Sequence, residues 1–366
     1  MGSRWMGPDC RAARRFIRCS RSFGQEFPNV AVLVFGYFGP RKERGKAMNR
    51  GIFALAFVVA LGGVAAAQNY PAKPIKLIVP FAPGGPADVI GRIICQQAGI
   101  ILRQNFVVEN RGGAGGTIGA RMAAQAEPDG YTLMFANTST LSINPAVYKN
   151  LDFDPSKAFV PVALVGTTSN IFVVNPALPV KSIADLVAYG KVNPGKLSYS
   201  SPGVGTPPHM IGELFKLRTG LDITHVPYKS GGSSTQDVVS GQVPLTFENP
   251  AVSLPLVQAG TIRAIAVTSE ARNPRLPDVP TLSETIPDFV SVSFTGVVAP
   301  AGVSPAIIAK LNAAINDSLK TPEVMSTLTK LSVDIKAGTP GEFGAFLAKE
   351  REKWQGVARA AKIQID

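Results

Sequence analysis

The sequence has few residues for nucleophilic, redox or metal chemistry. It contains two histidines, His209 and His225, and three cysteines, of which only Cys95 lies beyond residue 67. One cysteine allows no internal disulfide there, and we interpret Cys95 as a small buried hydrophobe in an apolar helix. The G-x-S-x-G and H-E-x-x-H motifs are absent. His209 and Glu213 are spaced to share a metal ion, but two ligands do not make a site, so we expect neither metal nor cofactor.

Long apolar runs are also missing, since none reaches the roughly 20 residues that span a bilayer. The run Ile52–Val64 follows the basic Arg50 and is followed by small residues up to Ala67. This order is typical of a secretory signal peptide. We therefore predict residues 48–67 to be a signal peptide cleaved near Ala67, with a membrane anchor as the alternative. Residues 1–47 are then an upstream extension from a misassigned start.

A strong excess of one charge is missing from the main part of the chain. The formal net charge of the whole sequence is +12, but ten basic and three acidic residues lie in positions 1–47. Residues 68–366 carry 26 basic and 22 acidic residues, a net charge of +4. Basic and acidic residues in nearly equal numbers provide no basic stripe along the chain. Nucleic acid is therefore excluded as the first interpretation of what this protein binds.

The remaining chain alternates short β-rich apolar runs with helical patterns, which is typical of an α/β fold. Parallel pairing through right-handed crossovers is the default for such an alternation. The predicted strands are Ile75–Pro80, Phe106–Glu109, Thr132–Asn137, Ile171–Val174, Leu197–Ser201, Thr224–Tyr228, Leu245–Glu248, Ile262–Thr268 and Ser291–Ala299. The predicted helices are Ala87–Leu102, Thr117–Ala126, Pro207–Leu217 and Ser233–Ser240, with three more beginning at Ser304-Pro305, Thr321-Pro322 and Thr339-Pro340.

The order of these elements predicts two lobes. Residues 68–168 together with 293–366 form lobe 1, and residues 169–292 form lobe 2. The chain crosses between them near Val165–Ile171 and Val290–Thr295. Two lobes on two thin connections favour hinge closure over a cleft.

Glycine and small polar residues stand where several strands end. In the loop Pro80–Asp88, Gly84 and Gly85 allow a sharp turn and a close backbone approach to a ligand. The helix that follows presents unpaired N–H groups that suit a carboxylate. The alternative is a plain turn, with Asp88 as a partner of the helix dipole. Loops of the same kind are Asn110–Thr117, Asn137–Thr140, Ser200–Thr206 and His225–Gly232.

Six ordered motifs resemble one family. They are P-F-A-P-G-G-P-A-D at Pro80–Asp88, V-E-N-R-G-G-A-G-G at Val108–Gly116, P-D-G-Y-T-L at Pro128–Leu133, S-P-G-V-G-T-P-P-H at Ser201–His209, H-V-P-Y-K at His225–Lys229 and G-Q-V at Gly241–Val243. From about Tyr70 to its end, the chain resembles the substrate-binding receptors of the tripartite tricarboxylate transporters, the Bug (Bordetella uptake gene) receptors.

The resemblance implies a two-lobe periplasmic binding protein of type II, a Venus flytrap with the ligand cleft between its lobes. It implies a periplasmic receptor that captures a small carboxylate (a dicarboxylate, amino or aromatic acid) for a two-component membrane permease. We expect the receptor to act as a monomer. In the family, backbone groups and ordered waters of the first loop hold a carboxylate. The ligand-binding residues that we predict are Phe81, Ala82, Gly84, Gly85, Asp88, Thr138, Ser139, Ser201, Gly205, Thr206, His209, Tyr228 and Glu248.

Three positions depart from the family pattern. Pro86 stands where the family commonly has Ser or Thr, which removes a hydroxyl and an N–H. Gly112 stands where the family commonly has Pro. Glu248 replaces the Asp of a common F-D-N motif, and we expect its longer side chain to reach further into the cleft. That would favour a smaller ligand or one with a cationic group.

Two other functions stay open. One is a periplasmic enzyme that acts on a small carboxylate, with Asp88, Glu248 or His209 as acid or base. The other is a receptor that reports its ligand to a sensor kinase. Turnover of the bound compound would indicate the enzyme, and saturable binding without product would indicate a receptor.

Overall fold

The computed structural model describes residues 70–365. The predicted signal peptide at 48–67 and the predicted extension at 1–47 lie outside the described residues. Within the described span, no helix combines the length and the apolar character that crossing a bilayer requires.

Six strands form the first sheet. Their bounds are β1 Ile75–Val79, β2 Phe106–Asn110, β3 Thr132–Asn137, β4 Phe159–Ser169, β10 Val292–Pro300 and β11 Asp334–Ile335. The order is β11-β4-β10-β3-β1-β2. β1 pairs in parallel with β2 and β3, whereas β10 runs antiparallel to β3 and β4. The carboxyl ends of β1 and β3 therefore meet at one edge, where the predicted ligand loops begin.

Five strands form the second sheet. Their bounds are β5 Ile171–Val174, β6 Leu197–Ser201, β7 Ile223–Pro227, β8 Leu245–Glu248 and β9 Arg263–Val267. The order is β7-β6-β8-β5-β9, with β6 parallel to β7 and β8, and β5 antiparallel to β8 and β9. Each sheet has its own hydrophobic core. The predicted two-lobe α/β fold is confirmed, and the residue bounds given above for the lobes stay predictions.

Helices cover both sheets. Those of the first lobe are α1 Pro86–Leu102, α2 Thr117–Ala124, α3 Asn144–Val147 after a π-helical turn at Ser139–Ile143, α4 Pro155–Ala158, α9 Pro305–Ser318, α10 Pro322–Lys330 and α11 Pro340–Ala360. Those of the second lobe are α5 Ile183–Val192, α6 Pro207–Thr219, α7 Gly231–Val239 and α8 Pro250–Gln258. The three predicted helix starts at Ser/Thr-Pro pairs are confirmed. Proline is favourable at the first helical position because the N–H that it lacks would have no partner within the helix.

The sequence pattern missed the long strand β4 and helix α8, and it misplaced several ends by one or two residues. β4 was expected only as a connection because Pro161 and Gly166 interrupt its apolar run. Both residues are unfavourable within a sheet. Helix α8 contains Pro255, which hides the helical pattern.

The two chain crossings between the sheets lie side by side. One is at Asn170, between β4 and β5, and the other runs through Thr268 and Ser291. The Asn170 N–H donates to Thr268 Oγ1 at 2.8 Å, and the Thr268 N–H donates back to the Asn170 carbonyl at 2.9 Å. The Ser291 N–H donates to the Thr268 carbonyl at 2.8 Å. These bonds couple the two connections, so the lobes can move as two bodies about one axis.

Helix α11 contacts both cores. Phe343, near its start, packs edge-on against Phe294 of the first sheet at 5.9 Å between ring centroids. Trp354, three turns later, is fully buried in the same hydrophobic cluster as Phe215 and Phe289 of the second lobe. The sequence pattern placed this helix with lobe 1 and did not indicate the second contact.

Candidate functional site

A cavity of about 120 Å³ lies between the two lobes. Its polar lining residues are Asn137, Thr138, Ser139, Thr168, Asn249, Ser293 and Thr295. None of the described residues that line it carries a charge. The volume is well below the roughly 300–1,000 Å³ of pockets for drug-sized ligands, so the cavity suits a small molecule.

The first turns of three helices meet at this cavity. Pro86 of α1 lines it from the first lobe, and Pro207 of α6 and Ala251 of α8 line it from the second. Asn249 caps α8 by accepting the Ala251 N–H, but α1 and α6 have no side-chain cap. Two uncapped helix N-termini from opposite lobes provide positive potential without a cationic side chain, which favours an anion.

Proline restricts which amides the two uncapped ends offer. Pro86, Pro207 and Pro208 have no N–H. The N–H groups of Ala87 and Asp88 in α1, together with that of His209 in α6, have no acceptor among residues 70–365. These three amides are the donors available to a ligand in the two first turns.

Asp88 holds the first loop in place. Its carboxylate is 4% exposed and accepts the Gly84 N–H and an Asn110 Nδ2–H, each at 2.9 Å. It also pairs with Arg92 Nε at 2.9 Å, and this contact is the main cause of the fall in the Asp88 pKa to about 2. The Asn110 amide donates further to the Phe81 carbonyl at 3.1 Å. Asp88 is therefore a positioning residue for the loop, and the Gly84 amide is already engaged.

The loop after β3 contributes Thr138 and Ser139 to the lining of the cavity. Thr138 is 1% exposed, and its Oγ1 accepts the Phe294 N–H of β10 at 2.7 Å. Ser139 is half-buried beside it. The sequence reasoning missed Thr295, whose buried Oγ1 has no hydrogen-bond partner among the described residues. Thr295 and Ser293 are two residues apart on β10 and therefore face the same side of the sheet. This spacing was the sequence signal that could have indicated Thr295.

Two buried histidines, His209 and His225, form hydrogen bonds with the loop after β6. Ser201 Oγ lies 2.6 Å from His225 Nε2, and the His225 ring stacks on His209 with centroids 4.0 Å apart. His209 Nδ1 accepts the Gly205 N–H at 3.1 Å. Burial lowers the pKa of both histidines to about 4, so both are neutral at pH 7. The pair shapes this loop and engages the Gly205 amide.

Other predicted residues of the second lobe also make internal contacts. Thr206 Oγ1 donates to the Gly203 carbonyl at 2.7 Å, although Thr206 immediately precedes the cavity-lining Pro207. The Tyr228 hydroxyl donates to the Asp237 carboxylate. Both hydroxyls are therefore engaged within their own lobe.

Glu248 lies against α7 rather than among the residues that line the cavity. It is 2% exposed, and it accepts the Asn249 N–H at 2.7 Å and the Thr235 hydroxyl at 3.0 Å. A Cβ on Gly231 would stand 3.0 Å from its Oε2. Burial without a cationic partner raises its pKa. The expectation that its longer side chain reaches further into the cleft does not match this position.

The predicted residues thus divide into three groups. Thr138 and Ser139 line the cavity, and Gly85, Thr206 and Glu248 each directly precede a residue that does. Of the others, Asp88 and His209 lie in the first turns of α1 and α6, and the rest lie at strand ends and in the loops, where Phe81 packs on the first core and Ala82 is exposed. Within residues 70–365, no three His, Cys, Asp or Glu side chains cluster to hold a metal ion.

Comparison with known proteins supports the interpretation of this cleft. A sequence profile described as "Tripartite tricarboxylate transporter family receptor" matches residues 90–363. Protein BugT from Bordetella pertussis is 36% identical over 323 residues, which cover 87% of this chain and 99% of BugT. The chain belongs to the tripartite tricarboxylate transporter receptors. The resemblance to the Bug receptors is confirmed.

Two solved structures show what similar receptors hold. Rpa4515 from R. palustris with adipate is 34% identical, with a TM-score of 0.70 over 81% of this chain and 99% of that one. MatC from Rhodopseudomonas palustris with bound malate is 30% identical, with a TM-score of 0.67 over 79% of this chain and 99% of that one. Both of these similar receptors hold a carboxylate, and periplasmic location is consistent with the family of this chain.

We expect Asp88→Ala to loosen the first loop of this receptor. The change leaves the Gly84 N–H and the Asn110 amide without their acceptor, which costs about 1–3 kcal/mol of the free energy of unfolding. Ligand affinity should fall by roughly tenfold, because the loop that presents the α1 amides is no longer pre-organised. Urea unfolding and calorimetric titration measure the two effects. Asp317→Ala, which removes an exposed ion pair with Lys320, should change neither.

The buried histidines make the stability of this receptor pH-dependent. The His209 pKa is about 4 in the folded state and about 6.5 when unfolded, so the unfolded state binds more protons between those values. Stability is therefore full above about pH 6.5 and falls as the pH drops towards 4. His209 alone accounts for a loss of about 2 kcal/mol at pH 5. Urea unfolding at pH 7 and 5 measures this loss.

A variant separates the histidines from other titrating groups. His209→Gln should roughly halve the pH dependence of stability between pH 7 and 5, because His225, whose pKa is also about 4, keeps its own contribution. The carboxylates with lowered pKa, such as Asp88 and Glu284 at about 2, stay ionised over that range and do not contribute. An unchanged pH slope in His209→Gln would contradict the assignment.

Proposed function

We propose that this chain captures a small carboxylate in the cleft between its lobes and delivers it to a two-component membrane permease. The observation that carries the proposal is the uncharged cavity at which the uncapped N-termini of α1 and α6 meet from opposite lobes. Such a site binds an anion through amides and helix dipoles, without a lysine or arginine. The adipate and malate in two similar receptors support this ligand class.

The proposed binding mode uses different groups for the two parts of the ligand. One carboxylate accepts the unpaired amides of Ala87 and Asp88 in α1, directly or through ordered water. The rest of the ligand contacts the cavity hydroxyls, including the unpartnered Oγ1 of Thr295. The first turn of α6 then approaches from the second lobe as the two connections at Asn170 and Thr268 bend. Export through a signal peptide cleaved near Ala67, and action as a monomer, complete the proposal.

Calorimetric titration with a panel of small acids that includes malate, adipate and amino and aromatic acids tests the ligand class. We expect saturable heat with at least one member and recovery of that compound unchanged, as shown by NMR. Small-angle scattering should show a more compact particle at saturation, because hinge closure brings the lobes together. No heat with any member of the panel, or a chemically altered compound, would refute the proposal.

The buried Ser201–His225 pair is the one feature that invites comparison with an enzyme. A nucleophile must reach its substrate, but Ser201 is 0% exposed and its hydroxyl also exchanges hydrogen bonds with Gly203. A base works best with a pKa near the working pH, and that of His225 is about 4. Both facts favour a receptor over a hydrolase.

The partner of the loaded receptor needs a test in cells. Deletion of the permease genes should abolish uptake of the ligand if the receptor serves transport. If uptake persists and induction of ligand-responsive genes requires the receptor, the partner is a sensor kinase instead.

A further inference from the structure

Arg351 on α11 has a half-buried guanidinium without a partner. Among residues 70–365, no side chain or carbonyl accepts a hydrogen bond from it, and no carboxylate forms an ion pair with it. Burial lowers the pKa of Arg351 and the negative charge of Asp154 opposes this shift, but the two side chains form no hydrogen bond. Asp154 Oδ1 already accepts the N–H and O–H of Ser156, at 2.8 and 2.7 Å. Asp154 Oδ2 faces Lys157 Nζ at 3.6 Å. Arg351 is not fully buried, so its N–H donors can be hydrated, and without a protein acceptor they are free to bind an anion.

A cavity of about 140 Å³ lies beside Arg351. Its buried apolar side chains are Leu141, Phe159, Val298 and Leu347, and its polar lining residues are Ser156 and Arg351. Helix α11 contributes Gly344, Leu347 and Arg351, which share one face at helical spacing. A cavity of about 150 Å³ lined by similar side chains holds benzene, so this one holds an apolar group of about that size.

This cavity is separate from the ligand cleft. No residue lines both cavities. The cleft lies between the lobes and has no charged lining residue, whereas this pocket lies within the first lobe, between α11 and the strands β4 and β10, and has one cation.

We propose that this pocket is a second binding site, for a small apolar monocarboxylate of about the size of benzoate. The planar guanidinium of Arg351 matches a carboxylate through two parallel N–H donors. The apolar part of the ligand packs against Phe159 and Leu347. A second carboxylate has no cation to pair with and would be desolvated against hydrocarbon, which excludes the dicarboxylates bound by similar receptors. The hydroxyl of Ser156 at the rim donates to Asp154 and is not free for the ligand.

Benzoate is the probe, and the cleft is blocked during the experiment by Gly85→Val. NMR titration of Gly85→Val protein should show saturable shifts with benzoate at one site. Adding Arg351→Met should weaken that binding by at least roughly tenfold, since the charge-assisted pair is lost. Benzamide, the neutral isostere, should bind the Gly85→Val protein as weakly as benzoate binds the protein that carries both Gly85→Val and Arg351→Met. Arg359→Met, which removes an exposed arginine of the same helix, is the matched control.

A second variant tests the cavity rather than the charge. Gly344→Leu places a side chain in the pocket, and its Cβ would stand 3.4 Å from Pro161 Cγ. This change should abolish benzoate binding while Arg351 is retained. Circular dichroism confirms the fold of each variant. Loss of all benzoate binding in Gly85→Val alone would place benzoate in the cleft and overturn the proposal. Equal affinity with and without Arg351→Met would overturn it as well, and neither result bears on the cleft as a carboxylate site.

Discussion

Gly85→Val should lower ligand affinity by at least about 100-fold while leaving the fold intact. Gly85 is the N-cap residue of α1, and a side chain at this position stands over the amides of the first turn. Valine therefore covers the unpaired N–H groups of Ala87 and Asp88 with methyl groups. Two charge-assisted hydrogen bonds are lost, each of about 1.5–3 kcal/mol. Calorimetric titration with the acid that the wild-type receptor binds measures the loss.

The local geometry explains why the fold should tolerate this change. Gly85 has φ −78° and ψ 170°, an extended conformation that any residue adopts. A Cβ there meets only the Ala82 carbonyl oxygen, at 3.8 Å. Gly341→Val, next to Pro340 at the start of α11 and not among the residues that line the cavity, is the control and should leave affinity unchanged.

An aspartate at the same position gives a sharper result. The carboxylate of Gly85→Asp should itself cap α1, so affinity falls while stability stays equal or rises by a few tenths of a kcal/mol. Unchanged affinity in both Gly85 variants would show that the ligand does not use the α1 amides.

Trp354→Ala should lower the free energy of unfolding by about 3–5 kcal/mol. The indole is fully buried in the hydrophobic cluster of the second lobe, although its helix begins on the first. Its Nε1–H donates to Glu350 Oε2 at 3.0 Å. Removing the ring leaves a large cavity and an unpaired carboxylate oxygen where α11 joins the two cores. Urea unfolding followed by far-ultraviolet circular dichroism measures the change.

Two variants separate volume from hydrogen bonding at this position. Trp354→Phe keeps most of the buried volume but removes the N–H donor to Glu350, so it should cost about 1–3 kcal/mol. Lys349→Ala, an exposed change on the same helix, should stay within about 0.5 kcal/mol of wild type. A loss below about 1 kcal/mol in Trp354→Ala would show that the contact between α11 and the second core contributes little.

Local patterns in the sequence predicted most elements of this fold. The βα units around Ile75–Val79 and Phe106–Asn110, and the three C-terminal helix starts, follow from apolar periodicity and Ser/Thr-Pro pairs. The patterns failed at β4 and α8, where proline and glycine lie inside regular elements that tertiary packing stabilises. Propensity is a local quantity, and burial against a neighbouring strand overrides it.

The candidate site was predictable in position but not in detail. Glycine and hydroxyl residues at strand ends indicated the cleft, and Thr138 and Ser139 do line it. The sequence could not show that Asp88 and His209 engage the amides of Gly84 and Gly205, since these bonds depend on side-chain orientation. It also did not reveal Thr295, which reaches the cavity from a strand that returns to the first lobe from the second.

The sequence by itself determined the family, the α/β class and the starts of the C-terminal helices, because each rests on residues that are neighbours along the chain. The tertiary structure alone decided which amides stay unpaired, where Glu248 points its carboxyl, and that α11 joins two cores. It also decided that Arg351 faces an apolar pocket without a partner. These features join residues that are far apart in the chain, and only packing brings such residues within hydrogen-bond distance.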